Sequence, residues 1–268
     1  MTTLAERAAA LLGGTLAQAE PLSGGDLSQV IRITLRDGRI AIAKGGKAPR
    51  TEAAMLAAIT AAGVPAPEVL AVSDTALVLQ SLPGGSGVGG AWASLGGALH
   101  HLHQAVGPRY GWDADYGFGP VAIENAWDDD WPSFWANHRV LVHAPHLPAA
   151  LARRLETLAR DLPNRLPAHP TPSLLHGDLW GGNVVRTGTQ VTGLIDPACY
   201  YGHGEVDIAM LGLFDKPGAA FSDAYGAPPP GESARRGIYQ LWPALVHLRL
   251  FGGGYFGIVN NLLDATGV

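Results

Sequence analysis

Apolar and polar positions along this chain follow two periods. Val30–Leu35 and Arg39–Lys44 alternate and are separated by Asp37-Gly38, a pairing that predicts an antiparallel hairpin. Strand side chains alternate between faces, so Ile40, Ile42 and Lys44 share one face, read here as turned to the core or a cleft. Before this hairpin, Leu4, Ala8, Leu11 and Leu12 recur with helical spacing; after it comes the Ala-rich helical run Thr51–Ile59, closed by Gly63 and Pro65. Two more strands are predicted near Val69 and at Leu77-Val78-Leu79. The helical period then takes over, with Leu95, Leu99 and Leu102 inside Trp92–Gln104, and with Leu151, Leu155, Leu158 and Leu162. Val184–Ile195 returns to the strand period as a second hairpin, turning at Thr187-Gly188-Thr189.

The division between these regimes is marked by Pro83-Gly84-Gly85-Ser86-Gly87, read as a hinge. Residues 1–83 are expected to form a nucleotide-binding lobe with a small antiparallel sheet. Residues 84–268 are expected to form a larger helical lobe carrying catalysis and acceptor binding. The fold class is therefore α+β and two-lobed, and the cleft is the expected place for ATP, with backbone groups of Gln80, Ser81 and Leu82 facing the adenine edge.

Composition narrows the classes. A chain of 268 residues can bury a large core, and its net charge of −5 gives no basic patch for nucleic acid. Cys199 is the single cysteine, so no intrachain disulfide is available. No apolar run reaches membrane-span length and the N-terminus does not read as a signal peptide, so a cytoplasmic protein without membrane association is expected.

The candidate chemistry begins at Leu174-Leu175-His176-Gly177-Asp178-Leu179-Trp180-Gly181-Gly182-Asn183, followed by Leu194-Ile195-Asp196-Pro197. A phosphotransferase of the kinase type needs one carboxylate to position the attacking hydroxyl and accept its proton, the part given to Asp178. It also needs hard oxygen ligands for Mg²⁺ against the phosphates of ATP, the part given to Asn183 and Asp196. The intervening hairpin returns its second strand beside its first, which would bring Asn183 and Asp196 together at its open end. Lys44 is the second anchor. Only Lys44, Lys47 and Lys216 are lysines among 18 basic residues, so a compact ammonium is singled out at position 44. In line with two isoleucines it needs an anion, and Glu52, opening the next helix, is the candidate partner. Ser23-Gly24-Gly25-Asp26, just ahead of the Lys44 hairpin, can present backbone amides to phosphate oxygens.

These motifs, with Tyr200-Tyr201-Gly202-His203-Gly204-Glu205-Val206-Asp207-Ile208-Ala209-Met210, Asn125-Ala126-Trp127, and the tail from Tyr239 to Tyr255, resemble the fructosamine (ketosamine-3) kinase family. That family lies within the aminoglycoside-phosphotransferase branch of the protein-kinase-like fold. The resemblance implies transfer of the ATP γ-phosphoryl group, with Mg²⁺, to a sugar hydroxyl, O3 of a free or protein-bound ketoamine, in deglycation repair. It implies Asp178 as base, Asn183 and Asp196 as metal ligands, Lys44 paired with Glu52 on the phosphates, and Ser23 to Asp26 covering them. Trp180 and His203 are implied as walls of the sugar pocket. Ile123 stands where the family pattern has a Gln before Asn125-Ala126-Trp127. The alternative readings are a kinase for another small alcohol, such as an aminoglycoside or choline-like compound, and a nucleotide-binding pseudokinase.

The remaining polar clusters have structural readings. His100, His101 and His103 lie on one helix without a cysteine or acidic partner at ligand spacing. Trp127, Trp131 and Phe134 read as core, Asp128-Asp129-Asp130 as a turn or cap, and Asp207 as a buried acid bracing the Asp178 loop.

Overall fold

Asp37-Gly38 turns the chain as its residue types require: Gly38 takes φ +89°, a region open to glycine without a Cβ penalty, and Leu35 N donates to Arg39 O at 2.9 Å. The computed structural model describes residues 2–22 and 29–268, so Ser23, Gly24, Gly25 and Asp26 lie outside the described residues. The chain divides into two compact units, residues 1–91 with 182–197, and residues 92–181 with 198–268.

The first unit begins with α1 (Leu4–Leu11), capped by Thr3 and Glu6 in a reciprocal capping box. The elements β1 (Leu16–Pro21), β2 (Val30–Leu35), β3 (Ile40–Lys44), α2 (Pro49–Ala61), β4 (Val69–Val72), β5 (Leu77–Gln80) and β6 (Gly85–Ser86) follow. Five strands form an antiparallel sheet in the order β1-β2-β3-β5-β4. One core joins Leu4, Ala5, Ala8 and Ala9 of α1 to Ile31, Ile33, Leu35, Ala41 and Ala43. A second cluster packs Leu56 of α2 with Leu77 and Leu79, and Ile42 lies against it.

Two expectations change here. On α1 the expected Leu4 and Ala8 are buried, but Ala5 and Ala9 complete the stripe and Leu11 is exposed. On β3 the alanines occupy the α1 core, while Ile40 is exposed and Ile42 half-buried. Lys44 therefore belongs to the face that carries α2, and its burial comes from that helix and from residues 182–197.

Those residues contribute β10 (Val184–Thr187) and β11 (Gln190–Leu194), the predicted second hairpin, with Gly188 at φ +59° in its turn. The Gly-rich stretch read as a hinge is partly a strand: β6 pairs with β10 at Ser86↔Val185 and Gly85↔Arg186. Any Cβ on Gly84 would run into the Arg186 carbonyl.

The second unit holds α3 (Trp92–Gln104), β7 (Tyr116–Phe118), β8 (Val121–Ile123), α4 (Trp131–Trp135), α5 (Ala149–Arg165), β9 (Ser173–Leu175), β12 (Tyr200–Gly202), α6 (Glu205–Phe214), α7 (Ala219–Tyr225), α8 (Glu232–Phe251) and α9 (Phe256–Thr266). Its core gathers the predicted leucines of α5 with Trp131, Phe134, Trp135, Tyr200, Tyr239 and Trp242. Asp130 caps α4 by accepting from Ser133 N at 2.8 Å. Arg139 is fully buried here, its guanidinium 4.1 Å from the Tyr200 ring centroid and 4.8 Å from that of Phe134. It donates to Glu124 O at 2.6 Å and Asn125 Oδ1 at 2.7 Å, fixing the segment that leads to Trp127. No helix among the described residues is long and apolar enough to cross a membrane.

Candidate functional site

In the first unit Lys44 is enclosed by carboxylates. Its Nζ lies 2.5 Å from Glu52 Oε1 and 2.6 Å from Asp196 Oδ1. Strand β3 ends at Lys44, α2 presents Glu52 in its first turn, and the β10–β11 hairpin delivers Asp196 just beyond its second strand. Lys44 and Glu52 are 7% and 6% exposed, so neither charge could be held there alone. Burial pushes the Lys44 pKa down, but the two carboxylates push it up further, and the net shift is upward: the ammonium stays charged.

Asp196 takes φ +56°, the left-handed region that a branched or bulky residue avoids; it is the only non-glycine residue to do so among the described residues. Its side chain remains 39% exposed although Lys44 holds one oxygen. At the open end of the hairpin, Ile195 N donates to Asn183 O at 3.0 Å, closing Asn183 and Asp196 into neighbouring positions as the hairpin reading requires. Asn183 is buried. Along the other expected edge, Gln80 N is already committed to Glu68 O at 2.9 Å, so that amide belongs to the sheet and not to a ligand. Leu82 packs its side chain over Gly193 of β11, where a Cβ would displace it.

In the second unit the segment after β9 is held by α6. Asp207 Oδ2 accepts from His176 N at 2.7 Å and Oδ1 from Gly177 N at 2.9 Å. Gly177 sits at φ +78° against the Ala198 carbonyl, which leaves no room for a Cβ. Asp207 is fully buried; burial raises its pKa, but His103 and the amides outweigh it and the net shift is downward. His103 Nε2 donates to Asp207 Oδ2 at 3.1 Å, and its Nδ1 meets the Tyr225 hydroxyl at 2.8 Å. The three-histidine run on α3 thus supplies a brace for Asp207. Asp178 itself is half-buried, its N–H 3.3 Å from His176 Nδ1. Trp180 is 44% exposed, and the following Gly181 N donates to Asp215 Oδ2 at 2.7 Å.

His203 is mostly buried, with Nδ1 2.8 Å from the Tyr239 hydroxyl, which in turn accepts from Trp131 Nε1 at 3.0 Å. Burial pulls its pKa down to about 4, partly opposed by Glu205, so the ring is neutral at pH 7. Trp131 and Phe134 are core, whereas Trp127 is half-buried and stacked on Tyr201, which also contacts Trp112.

The family described as Fructosamine kinase matches residues 2–266. The chain belongs to that family. A fructosamine kinase is a phosphotransferase acting on a sugar hydroxyl, and the fold is that of the protein-kinase-like and aminoglycoside-phosphotransferase group. The chain is 40% identical to a Synechocystis protein named "Probable ketoamine kinase", over 67% of this chain and 63% of that protein. A Staphylococcus aureus protein of the same name is 32% identical over 92% of both chains. A crystal structure from Thermobifida fusca, provisionally named a fructosamine-3-kinase, superposes with a TM-score of 0.89 at 28% identity and covers 99% of each chain.

In this member of the family, the structure brings together Lys44, Glu52 and Asp196, and places Asn183 beside the last. Sequence reasoning missed His103 and Asp215. His103 was visible only as one of three neighbouring histidines, and the register that picks it out is set by α6. Asp215 ends the apolar run of α6, a position that reads as an ordinary helix stop.

Proposed function

We propose that the protein transfers the γ-phosphoryl group of ATP to O3 of a ketoamine, free or protein-bound, with Asp178 as the base that orients and deprotonates the hydroxyl. The single observation that carries most weight is the Lys44 triad: a buried ammonium shared by Glu52 and Asp196 is the arrangement a kinase uses to order a phosphate-binding lysine. Asn183 and Asp196 offer hard oxygen donors at one end of a hairpin, a set that suits Mg²⁺. Asp196 keeps a carboxylate oxygen beyond the one Lys44 contacts, which supports that fit. When bound, the metal would neutralise phosphate charge.

Lys44 would meet the phosphates, and Ser23 to Asp26 would cover them. The backbone beyond β5, at Ser81 and Leu82, would face the base of the nucleotide. Trp180, exposed two residues after Asp178, would form a wall for the sugar, and His203 would be a second. A 3-phosphorylated ketoamine is unstable and releases its amine, so the role would be deglycation. The names of the relatives support the ketoamine as acceptor. A coupled ADP-release assay with fructosyl- and ribulosyl-lysine, an aminoglycoside and choline, followed by phosphorus NMR of the product, tests this reading. A new phosphomonoester at O3 of the ketoamines is expected. Product from the aminoglycoside or choline alone would reject the ketoamine and keep the kinase.

A further inference from the structure

Two carboxylates of the α6 region touch the segment that carries Asp178. Asp207 is fully buried and spent on two amides and His103. Asp215 is different. It is half-buried, it accepts from Gly181 N through Oδ2, and it forms no ion pair among the described residues. The missing side chain at Gly181 lets it come this close: a Cβ there would lie 2.8 Å from Asp215 Oδ1. The result is a carboxylate with no ion-pair partner among the described residues, set against the residue that follows the exposed Trp180 ring, with the exposed Phe214 preceding it.

Its position suits one part of the acceptor. In a ketoamine the nitrogen and O3 are four bonds apart, so the nitrogen lies within about 5 Å of the oxygen phosphorylated, given ordinary bond lengths. Asp178 and Gly181 are at most about 10 Å apart along the chain. An aliphatic amine is protonated at neutral pH. A group that addresses O3 through Asp178 therefore carries a cation into the neighbourhood of Gly181 and Trp180. There an anionic oxygen can accept its N–H, and the indole face can attract its charge.

Resting on the ketoamine reading above, we infer that Asp215 is the acceptor-binding residue that selects for a protonated amine beside the sugar, with Trp180 as its aromatic partner. A ketose bearing a neutral substituent in place of the amine would gain neither contact.

The test uses a matched pair of acceptors: 1-deoxy-1-methylamino-fructose, which is cationic, and 1-O-methyl-fructose, which is neutral and of similar shape. Asp215→Asn keeps an oxygen for Gly181 N–H and removes the charge. The wild-type enzyme should prefer the amine, and in the variant the ratio of kcat/KM between amine and ether should fall by about 10–100-fold, the range for a lost charge-assisted hydrogen bond. An unchanged ratio, whether activity is retained or lost equally for both acceptors, overturns the inference and leaves Asp215 as a brace for the loop. Phosphorylation of the ether in preference to the amine by the wild-type enzyme would also overturn it. Failure of the wild-type enzyme on both sugars, with ADP release intact on a different alcohol, would reject the ketoamine reading itself, an outcome visible before any variant is made.

Discussion

Lys44 Nζ lies 2.6 Å from Asp196 Oδ1, joining residues 152 positions apart in the sequence. Glu52 holds the same ammonium from the other side. Lys44→Met leaves Glu52 buried without its cation, so the variant should lose about 3–5 kcal/mol of stability. Adding Glu52→Gln should return part of the loss. The ion pair's contribution is present below the ordinary lysine value and fades only as pH rises through the raised native pKa, so it is complete at neutral pH. Urea unfolding of the two variants at pH 7 checks this; a Lys44→Met protein as stable as the parent would contradict it.

Asp178→Asn keeps the shape of the side chain and removes the base. Turnover should fall about 10²–10⁴-fold with nucleotide affinity retained. Steady-state ADP release together with calorimetric titration of the nucleotide separates the two quantities. A variant that turns over normally would exclude Asp178 as the base.

Asp207→Asn cannot reproduce the native bonding, because its amide group has one acceptor where the carboxylate offers two oxygens to His176 N, Gly177 N and His103. At least one buried donor is left unmet, at a cost of about 1–3 kcal/mol, and the loop carrying Asp178 loosens. Lower melting temperature and lower kcat should appear together. His103→Gln, which can still donate to Asp207, should recover more kcat than His103→Ala.

Acid should destabilise the fold through histidines buried in the neutral form. His203 is held down to about 4 and His143 to about 3, against an ordinary value of 6.5; burial leads in both, with Arg249 and Arg139 adding to it at His143. Between 6.5 and those values the unfolded chain binds protons that the folded chain refuses, so stability falls as pH falls. The slope is about 1.4 kcal/mol per pH unit for each histidine. Melting temperatures at pH 7 and pH 5 should differ less for His203→Asn than for the parent. An equal drop would take His203 out of the set.

Trp180→Ala should raise the acceptor KM more than the ATP KM if the exposed indole lines the sugar pocket. Initial rates with each substrate varied in turn measure both constants.

The hairpins were legible because each carries local information: alternation on both arms and a Gly where the backbone must turn positive. Helices α3 and α5 were legible from leucines at helical spacing, all buried. Residues 83–87 read as a hinge because composition alone cannot reveal a strand whose partner, β10, comes about a hundred residues later. The β3 face was misjudged because alanines, not isoleucines, fit under α1, and packing decides that choice. In the candidate site, motif and spacing singled out Asp178, Asn183, Asp196, Lys44 and Glu52, and the structure joins Lys44 to Glu52 and Asp196. Asp215 and His103 were not singled out, since each acts through a contact made by a distant helix with no pattern of its own.

The three-stranded sheet of β11, β10 and β6, with β10 in the middle, is assembled from two distant stretches of chain. A ribosome making this protein releases Lys44 and Glu52 early, yet Asp196 emerges only after α3, α4 and α5 of the second unit have been synthesised. The N-terminal unit must therefore wait, with its β6 strand unpaired and one of the lysine's two carboxylates still missing. A nascent chain arrested before residue 197 should carry an unfinished first unit, and truncated fragments ending at residue 91 should be poor substitutes for it.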